Sequence, residues 1–271
     1  MSSIVTDRGV VHYETHGRGR PVLLLHGWLE SWVPWRGTME ALSDHFKTYA
    51  LDFWGFGESG EGGGTFTVSD YVEMVDQFME RLGLEQLPVI GHSMGGTVSL
   101  CLTLDHPHRV KKVAVVGSPI VGDGLAFFLR LAAKRPLASM AYRVPGALPL
   151  GVRFFSPFLA RDWKRWYRMF TRDLSRTTLE SFHYSIASLR EIDLRDRLHE
   201  IEIPTLGIYG RIDRIVDPNE RHLLAAGVSQ AEIAFFEGSG HFPMLDQPDQ
   251  FYQTLNDFLS GRVEDAAEDT P

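Results

Sequence analysis

The chain is poor in cysteine: among its 271 residues there is one, Cys101. A single thiol excludes a disulfide within the chain, and no group of cysteines and histidines has the spacing of a zinc site. No apolar run approaches the roughly 18 residues that a membrane-spanning helix needs. Residues 1–8 have neither the basic start nor the apolar stretch of a secretory signal. We therefore expect a cytoplasmic protein without a membrane span.

Positive charge is also scarce overall, since the net charge is −8, which argues against a nucleic-acid-binding protein. The basic residues are unevenly distributed, however. Residues 130–176 contain 11 Lys and Arg but only two acids, Asp162 and Asp173. This segment is suited to an anionic substrate, an acidic acyl-carrier protein or an anionic membrane surface. The alternative is a solvated outer face of amphipathic helices.

Short aliphatic segments alternate with segments of helical periodicity along most of the chain. This alternation predicts an α/β protein with a doubly wound, mostly parallel sheet, whose ligands bind at the carboxyl ends of the strands. The predicted strands are residues 10–15, 22–26, 48–52, 87–90, 113–116, 205–209 and 231–236. The predicted helices include residues 35–46, a helix that begins with a capping box at residues 67–70, and residues 218–226.

Between residues 118 and 202 the alternation stops. The segment is rich in helical patterns and interrupted by prolines, and its aromatic residues Trp163, Trp166, Tyr167 and Phe170 recur at helical spacing. We predict a core made of residues 1–117 and 203–261, with a helical cap over residues 118–202 inserted near the carboxyl edge of the sheet. Residues 262–271 are acidic, lack apolar periodicity and predict a disordered tail.

The most informative motif is Gly-His-Ser-Met-Gly at residues 91–95. It lies between a predicted strand and a predicted helix, so that Ser93 occupies a tight turn. Such a turn strains the backbone of the serine, and the flanking glycines allow strand and helix to approach closely. The hydroxyl then projects from the end of the sheet. The motif therefore predicts that Ser93 is a nucleophile.

A serine nucleophile needs a base and an acid that orients the base. His241 follows Gly-Ser-Gly at residues 238–240, just after the last predicted strand, and is the candidate base among 11 histidines. Asp213 lies in the loop after the preceding strand and is the candidate acid. The neighbouring Asp217 is better explained as a helix N-cap, because it precedes a proline that begins a helix. Asp123 is a more distant alternative.

An oxyanion hole needs two preorganised donors. The N–H of Met94, which follows the nucleophile, is the first candidate. The second is the N–H of Trp28, which follows the predicted strand 22–26. His26 and His92 adjoin buried strands and are interpreted as structural. We expect a substrate pocket lined by Trp28, Leu29, Trp54, Val216 and Phe242, although the Trp28 ring is also suited to packing beneath the cap.

Together these segments resemble the α/β-hydrolase fold family, and the resemblance covers about residues 4–260. The matching segments are His-Gly-Trp at 26–28, Asp-Phe-Trp-Gly-Phe-Gly-Glu-Ser at 52–59, Gly-His-Ser-Met-Gly-Gly at 91–96, Gly-Arg-Ile-Asp at 210–213 and Gly-His at 240–241. The order serine, acid, histidine is also that of the family. The resemblance implies catalytic roles for Ser93, Asp213 and His241.

Within the family the chain is similar to small carboxylesterases, including those of the pimeloyl-acyl-carrier methyl ester esterase type. We therefore expect a serine hydrolase that cleaves esters of small to medium acyl groups through an acyl-enzyme, with no metal and no organic cofactor. A C–C bond hydrolase, a lactonase or a thioesterase would use the same triad. A ligand receptor of the same fold with slow turnover is an alternative of another class. A serine at position 93 disfavours epoxide hydrolases and haloalkane dehalogenases, which carry aspartate there.

Overall fold

An eight-stranded sheet runs through the part of the chain that the structure describes. The computed structural model describes residues 2–132, 134, 136, 150–154, 156 and 163–261. The strands are β1 (Ser2–Val5), β2 (Val10–Gly17), β3 (Arg20–Leu25), β4 (Phe46–Leu51), β5 (Leu87–His92), β6 (Val110–Val116), β7 (Thr205–Gly210) and β8 (Ala231–Phe236).

The strand order is β1-β2-β4-β3-β5-β6-β7-β8. Only the pairings of β1 with β2 and of β2 with β4 are antiparallel, so the prediction of a mostly parallel sheet is confirmed. Strand β1 was not predicted, because it has only four residues, and Val5 at its end is 68% exposed. Such a strand at the edge of a sheet carries little apolar alternation.

Helices cover both faces of the sheet. They are α1 (Arg36–Leu42), α2 (Val68–Arg81), α3 (Met94–Asp105), α4 (Phe127–Ala132), α5 (Trp163–Leu174), α6 (Leu179–Glu191), α7 (Glu220–Gly227), α8 (Pro243–Asp246) and α9 (Pro248–Ser260). Alternate residues of β3 point to opposite faces. Leu23 and Leu25 pack in a cluster with α2 and α3, whereas Val22 and Leu24 pack in a second cluster with α1 and α9. The sheet is therefore doubly wound, as predicted.

Two helix boundaries illustrate how the local sequence acts. The predicted capping box of α2 is confirmed: Thr67 Oγ1 accepts the N–H of Asp70, and Asp70 Oδ2 accepts the N–H of Thr67. The predicted helix over residues 35–46 was wrong at its end. The helix α1 ends at Leu42 because the buried Phe46 already begins β4.

The described helices of residues 118–202 lie over the carboxyl edge of the sheet. The indole Nε1 of Trp28, after β3, donates to the carbonyl of Phe182 (3.2 Å) and to Ser185 Oγ (3.0 Å) in α6. The hydroxyl of Ser181 donates to the carbonyl of Gly55, after β4 (3.0 Å).

The boundaries of core and cap stay a prediction. The predicted tail over residues 262–271 lies outside the described residues, as does much of the basic segment, including residues 137–149 and 157–162. Across the described ranges, no helix is long and apolar enough to cross a membrane.

Candidate active site

Ser93 sits on a strained turn between β5 and α3. Its backbone angles are φ 51° and ψ −120°, an unusual conformation for a residue with a side chain. A Cβ atom on Gly91 would lie 2.2 Å from the carbonyl oxygen of Gly95, and one on Gly95 would lie 2.4 Å from the carbonyl oxygen of Leu25. The predicted strain and the predicted close approach of strand and helix are both confirmed.

His241 and Asp213 form a buried pair on the loops after β8 and β7. The distance from His241 Nδ1 to Asp213 Oδ2 is 2.8 Å, and the side chains are 3% and 2% exposed. The other carboxylate oxygen, Oδ1, accepts the N–H groups of Ile215 (2.8 Å) and Val216 (3.1 Å). Because a carboxylate only accepts, Nδ1 carries the proton and Nε2 is left as a base.

Asp217 is not part of this pair. Its Oδ1 accepts the N–H of Asn219 (2.9 Å) in the turn before α7. The N-cap of α7 is Asn219, so the prediction of Asp217 as a helix N-cap was wrong, because the helix begins two residues later than expected, at Glu220. The choice of Asp213 over Asp217 therefore agrees with the geometry. The alternative acid, Asp123, lies in a short turn at residues 122–124 and is exposed.

The end of β6 brings the serine turn and the histidine loop together. The N–H of Ser93 donates to the carbonyl of Val116 (2.8 Å). The next residue, Gly117, has φ +55°, and a Cβ there would lie 3.2 Å from His241 Nδ1. The Ser93 hydroxyl has no hydrogen-bond partner among the described residues, so it is free to rotate. Hydrogen bonds between a nucleophile and its base often form fully only when substrate is bound. Gly117 was not predicted, and its only signal was a glycine directly after an aliphatic strand.

The two predicted oxyanion donors are backbone N–H groups of Trp28 and Met94. Neither has a hydrogen-bond acceptor in the part of the chain that the structure describes. Trp28 lies in a tight turn in which the N–H of Glu30 donates to the carbonyl of Gly27 (3.3 Å). Met94 is the first residue of α3, where the backbone N–H has no partner within the helix. Both N–H groups are thus available, and their role stays a prediction.

Three of the predicted pocket residues have contacts beside this site. The Phe242 ring lies 5.2 Å from the ring of His241 and 5.9 Å from that of Trp166 in α5. Val216 is buried and donates its N–H to Asp213. The Trp28 ring is half-buried against α6, with its centroid 4.7 Å from that of Phe182. The Trp28 side chain therefore packs beneath these helices, as the alternative interpretation had it.

The other two pocket predictions gain less support. Leu29 is buried and has φ +59°, a strained angle that belongs to the turn carrying the Trp28 N–H. Trp54 is 1% exposed, and its ring lies beneath Gly62 and beside the guanidinium of Arg8. These contacts describe a core residue that packs against the loop between β1 and β2 and the loop after β4. A direct role for Trp54 in the pocket is not supported by them.

His26 is structural, as interpreted. Its Nδ1 donates to the carbonyl of Gly27 (2.7 Å), and its Nε2 accepts the N–H of Phe53 (2.9 Å). Burial lowers the pKa of His26, which favours the neutral ring that this pair of contacts requires. His92 is buried as well, but it contacts Glu30 and the backbone of His241. No local sequence pattern indicated a role for Glu30.

A third buried carboxyl group joins α5 to the sheet edge. Asp173 Oδ2 accepts the hydroxyl of Ser31 (2.8 Å), and Asp173 is 4% exposed. Burial raises its pKa to about 7; the charges of Asp52 and Glu30 add to the effect, while Ser31 and Arg172 oppose it.

We expect Asp173→Asn to stabilise the protein at pH 8 by about 2 kcal/mol, roughly half of what the full pKa shift represents. The wild-type carboxyl binds its proton more tightly folded than unfolded, so the free energy of unfolding falls as the pH rises from about 4 to about 7. Asparagine keeps an acceptor for Ser31 and removes this dependence. Urea unfolding at pH 4.5 and pH 8 measures it. The exposed Asp123→Asn variant serves as the control, and equal stability of wild type and Asp173→Asn at pH 8 would contradict the expectation.

No three His, Cys, Asp or Glu side chains of the described ranges converge as a metal site requires.

The family model for the alpha/beta hydrolase fold matches residues 20–248. The chain belongs to the α/β hydrolase fold family. Among its relatives, the pimeloyl-[acyl-carrier protein] methyl ester esterase of Aeromonas hydrophila is 27% identical over 255 residues, covering 92% of this chain and 99% of the relative.

Two solved structures show the same fold. The enol-lactonase from Burkholderia xenovorans LB400 has a TM-score of 0.84 at 22% identity, covering 96% of this chain and 100% of that one. The esterase from Exiguobacterium antarcticum has a TM-score of 0.82 at 20% identity, covering 93% and 96%. The predicted family and fold are confirmed. The prediction of a hydrolase is confirmed as well, and esterases are among the relatives of the chain.

Proposed function

We propose that the protein is a serine hydrolase that cleaves carboxylic esters of small to medium acyl groups through an acyl-enzyme. The observation that carries this proposal is the buried hydrogen bond of 2.8 Å between His241 and Asp213, beside the strained turn of Ser93. A base oriented by a carboxylate, next to a serine on a turn between strand and helix, is the arrangement that acyl transfer needs.

In the first half of the reaction, His241 Nε2 takes the proton of Ser93 as Oγ attacks the ester carbonyl. The carbonyl oxygen becomes an oxyanion that the N–H groups of Trp28 and Met94 receive. When the tetrahedral intermediate collapses, His241 returns the proton to the leaving alcohol, and the acyl group stays on Ser93. Asp213 stays ionised, since its two oxygens accept three hydrogen bonds, and it holds the imidazole in one tautomer.

Water completes the cycle. It occupies the place of the alcohol, gives its proton to His241 Nε2 and attacks the acyl-enzyme carbonyl. The second tetrahedral intermediate releases the acid, and the proton returns to Ser93. All bonds are made and broken by these side chains and by water, and no other group enters the scheme.

The experiment that tests this proposal is covalent capture of the nucleophile. A fluorophosphonate reacts with an activated serine, and peptide mass spectrometry then locates the adduct. We expect one adduct, on Ser93, with loss of activity on short p-nitrophenyl esters in proportion to labelling. An unlabelled Ser93 in a protein that hydrolyses these esters would show that another group is the nucleophile. No hydrolysis, together with ligand-induced stabilisation, would favour a receptor instead.

The proposal extends to a substrate with an anionic group. A cavity of about 320 Å³ is lined by Arg36, Arg168 and Arg172, together with the buried Asp173. Three guanidinium groups around one cavity favour a carboxylate or an acidic carrier protein. In the same assay, salt should raise KM for a methyl half-ester of a dicarboxylic acid and leave KM for a neutral methyl ester nearly constant. An equal response of the two substrates would contradict anion recognition.

A further inference from the structure

Glu30 and His92 form a buried pair beside the proposed triad. The distance from His92 Nδ1 to Glu30 Oε2 is 3.1 Å, with side-chain exposures of 0% for His92 and 7% for Glu30. The Phe242 ring covers His92, with centroids 4.9 Å apart. Burying two ionisable side chains is costly unless each is paired. The contacts of Glu30 and His92 therefore identify the groups that compensate for their burial.

The proton positions follow from the partners. His92 Nε2 lies 2.8 Å from the carbonyl oxygen of His241, which can only accept, so Nε2 carries a proton. Glu30 Oε2 already accepts the N–H of Gly27 (2.9 Å), so a second proton lies between this carboxylate and His92 Nδ1. Both ring nitrogens of His92 are therefore donors. Burial lowers the pKa of His92, but the charge of Glu30, the hydrogen bonds to Glu30 and to the His241 carbonyl, and the charge of Asp213 together outweigh burial and raise that pKa, in agreement with an imidazolium.

The pair joins three segments that follow different strands. Gly27 belongs to the turn after β3 and precedes Trp28, the proposed oxyanion donor. His92 ends β5 and directly precedes Ser93, the proposed nucleophile. His241 lies on the loop after β8 and is the proposed base. No other group in the described ranges bonds to all three segments.

We propose that the Glu30–His92 pair positions His241 for proton transfer. His92 donates to the main-chain oxygen of His241, and the pair is itself anchored to the turn of the nucleophile and to the turn of the oxyanion donor. This inference rests on the proposed function. The loop is also held by the N–H groups of Gly238 and Gly240, which donate to Gln247 Oε1 (3.0 Å) and Asp246 Oδ2 (2.9 Å). The carbonyl of His241 itself is held by His92 (2.8 Å). A displacement of about 1 Å in a catalytic group can lower the rate about 100-fold.

The pair also sets the charge that faces the base. The rings of His92 and His241 have centroids 4.7 Å apart. The other ionisable groups around the pair are His26, which lies near both members, Asp213 near His92, and Asp173 near Glu30. An imidazolium beside His241 disfavours a second positive charge. Removing the Glu30 charge leaves His92 neutral, and His241 then holds its proton more firmly.

Two substitutions of His92 separate the two hydrogen bonds. His92→Asn keeps an amide near the Nδ1 position, within reach of Glu30, but is too short to reach the carbonyl of His241. His92→Gln extends an amide to the Nε2 position and restores a donor there. We expect kcat on p-nitrophenyl esters to fall about 30-fold in the Asn variant and about threefold in the Gln variant, with KM nearly constant in both.

Glu30→Gln tests the charge. It keeps an acceptor for Gly27 and removes the carboxylate. We expect the acidic limb of the pH profile of kcat/KM to move up by about one pH unit. The matched control is His12→Asn, because His12 forms another buried histidine–carboxylate pair, with Asp52 at 2.8 Å. That variant should lose stability without moving the limb.

Equal losses in the Asn and Gln variants, with an unmoved limb in Glu30→Gln, would overturn the positioning role and leave a purely structural one. Wild-type kcat in all three variants would also overturn the positioning role. Ser93→Ala separates the two proposals. If Ser93→Ala is inactive while the His92 variants behave like wild type, only the positioning role fails. If Ser93→Ala is fully active, the proposed function itself fails.

Discussion

Replacing Ser93 by alanine is expected to lower kcat on short p-nitrophenyl esters by at least about 10⁴-fold. Alanine keeps the Cβ and accepts the same positive φ as serine, but it has no oxygen to attack the carbonyl. The base then has no proton to take, and the acyl-enzyme cannot form. Because the backbone hydrogen bond from residue 93 to Val116 does not involve the side chain, the fold should stay intact.

The control for this substitution is Ser99→Ala. Ser99 is a buried serine of the same helix, α3, and its hydroxyl donates to the carbonyl of Gly95 (2.7 Å). This variant should keep kcat within about twofold of wild type, with a stability loss of about 1 kcal/mol. Steady-state kinetics of both variants, with thermal unfolding to verify folding, make the comparison. Wild-type turnover in Ser93→Ala would refute the role of the serine.

Asp213→Asn should lower kcat by about 10³- to 10⁴-fold. The N–H groups of Ile215 and Val216 accept no hydrogen bond, so they hold the amide oxygen of asparagine at the Oδ1 position. The amide NH₂ group then faces His241 Nδ1, which must accept, and the imidazole proton moves to Nε2. In that tautomer Nε2 has no lone pair for the Ser93 proton. The variant therefore holds the imidazole of His241 in the wrong tautomer, while the rest of the site is unchanged.

Asp217→Asn is the matched control, because Asp217 lies four residues further along the same loop and its carboxylate caps the N–H of Asn219. Its kcat should stay within about twofold of wild type, since asparagine also accepts that hydrogen bond. Equal losses in both variants would indicate damage to the loop and would count against a specific role of Asp213. Nitrogen chemical shifts of His241 would report the tautomer directly.

Much of the candidate site was predictable because its residues carry local signals. The serine turn has a glycine on either side, and the histidine follows a glycine-rich segment after an aliphatic strand. Asp213 could be chosen over Asp217 because the proline after Asp217 indicated a local role for that carboxylate near the start of a helix. Each of these signals lies within about ten residues of the side chain concerned, and strand-to-helix turns of this kind depend on local backbone sterics.

Other features had no local signal. Glu30 lies 62 residues from His92, and nothing near either residue indicates their pairing. Gly117 matters because β6 lies next to both β5 and β7 in the sheet. Trp54 looked like a pocket residue because its motif adjoins the site, whereas its ring contacts Arg8 and Gly62.

Local sequence patterns were sufficient to predict the alternation of strands and helices, the strained serine turn, and the candidate acid and base, because propensities, caps and turns act over a few residues. The packing of the whole chain sets which loops meet at the sheet edge, where Asp213 bonds to His241 and Glu30 bonds to His92. The physical reason is that strand order, which follows from burying both faces of the sheet at once, sets distances between residues far apart in the chain.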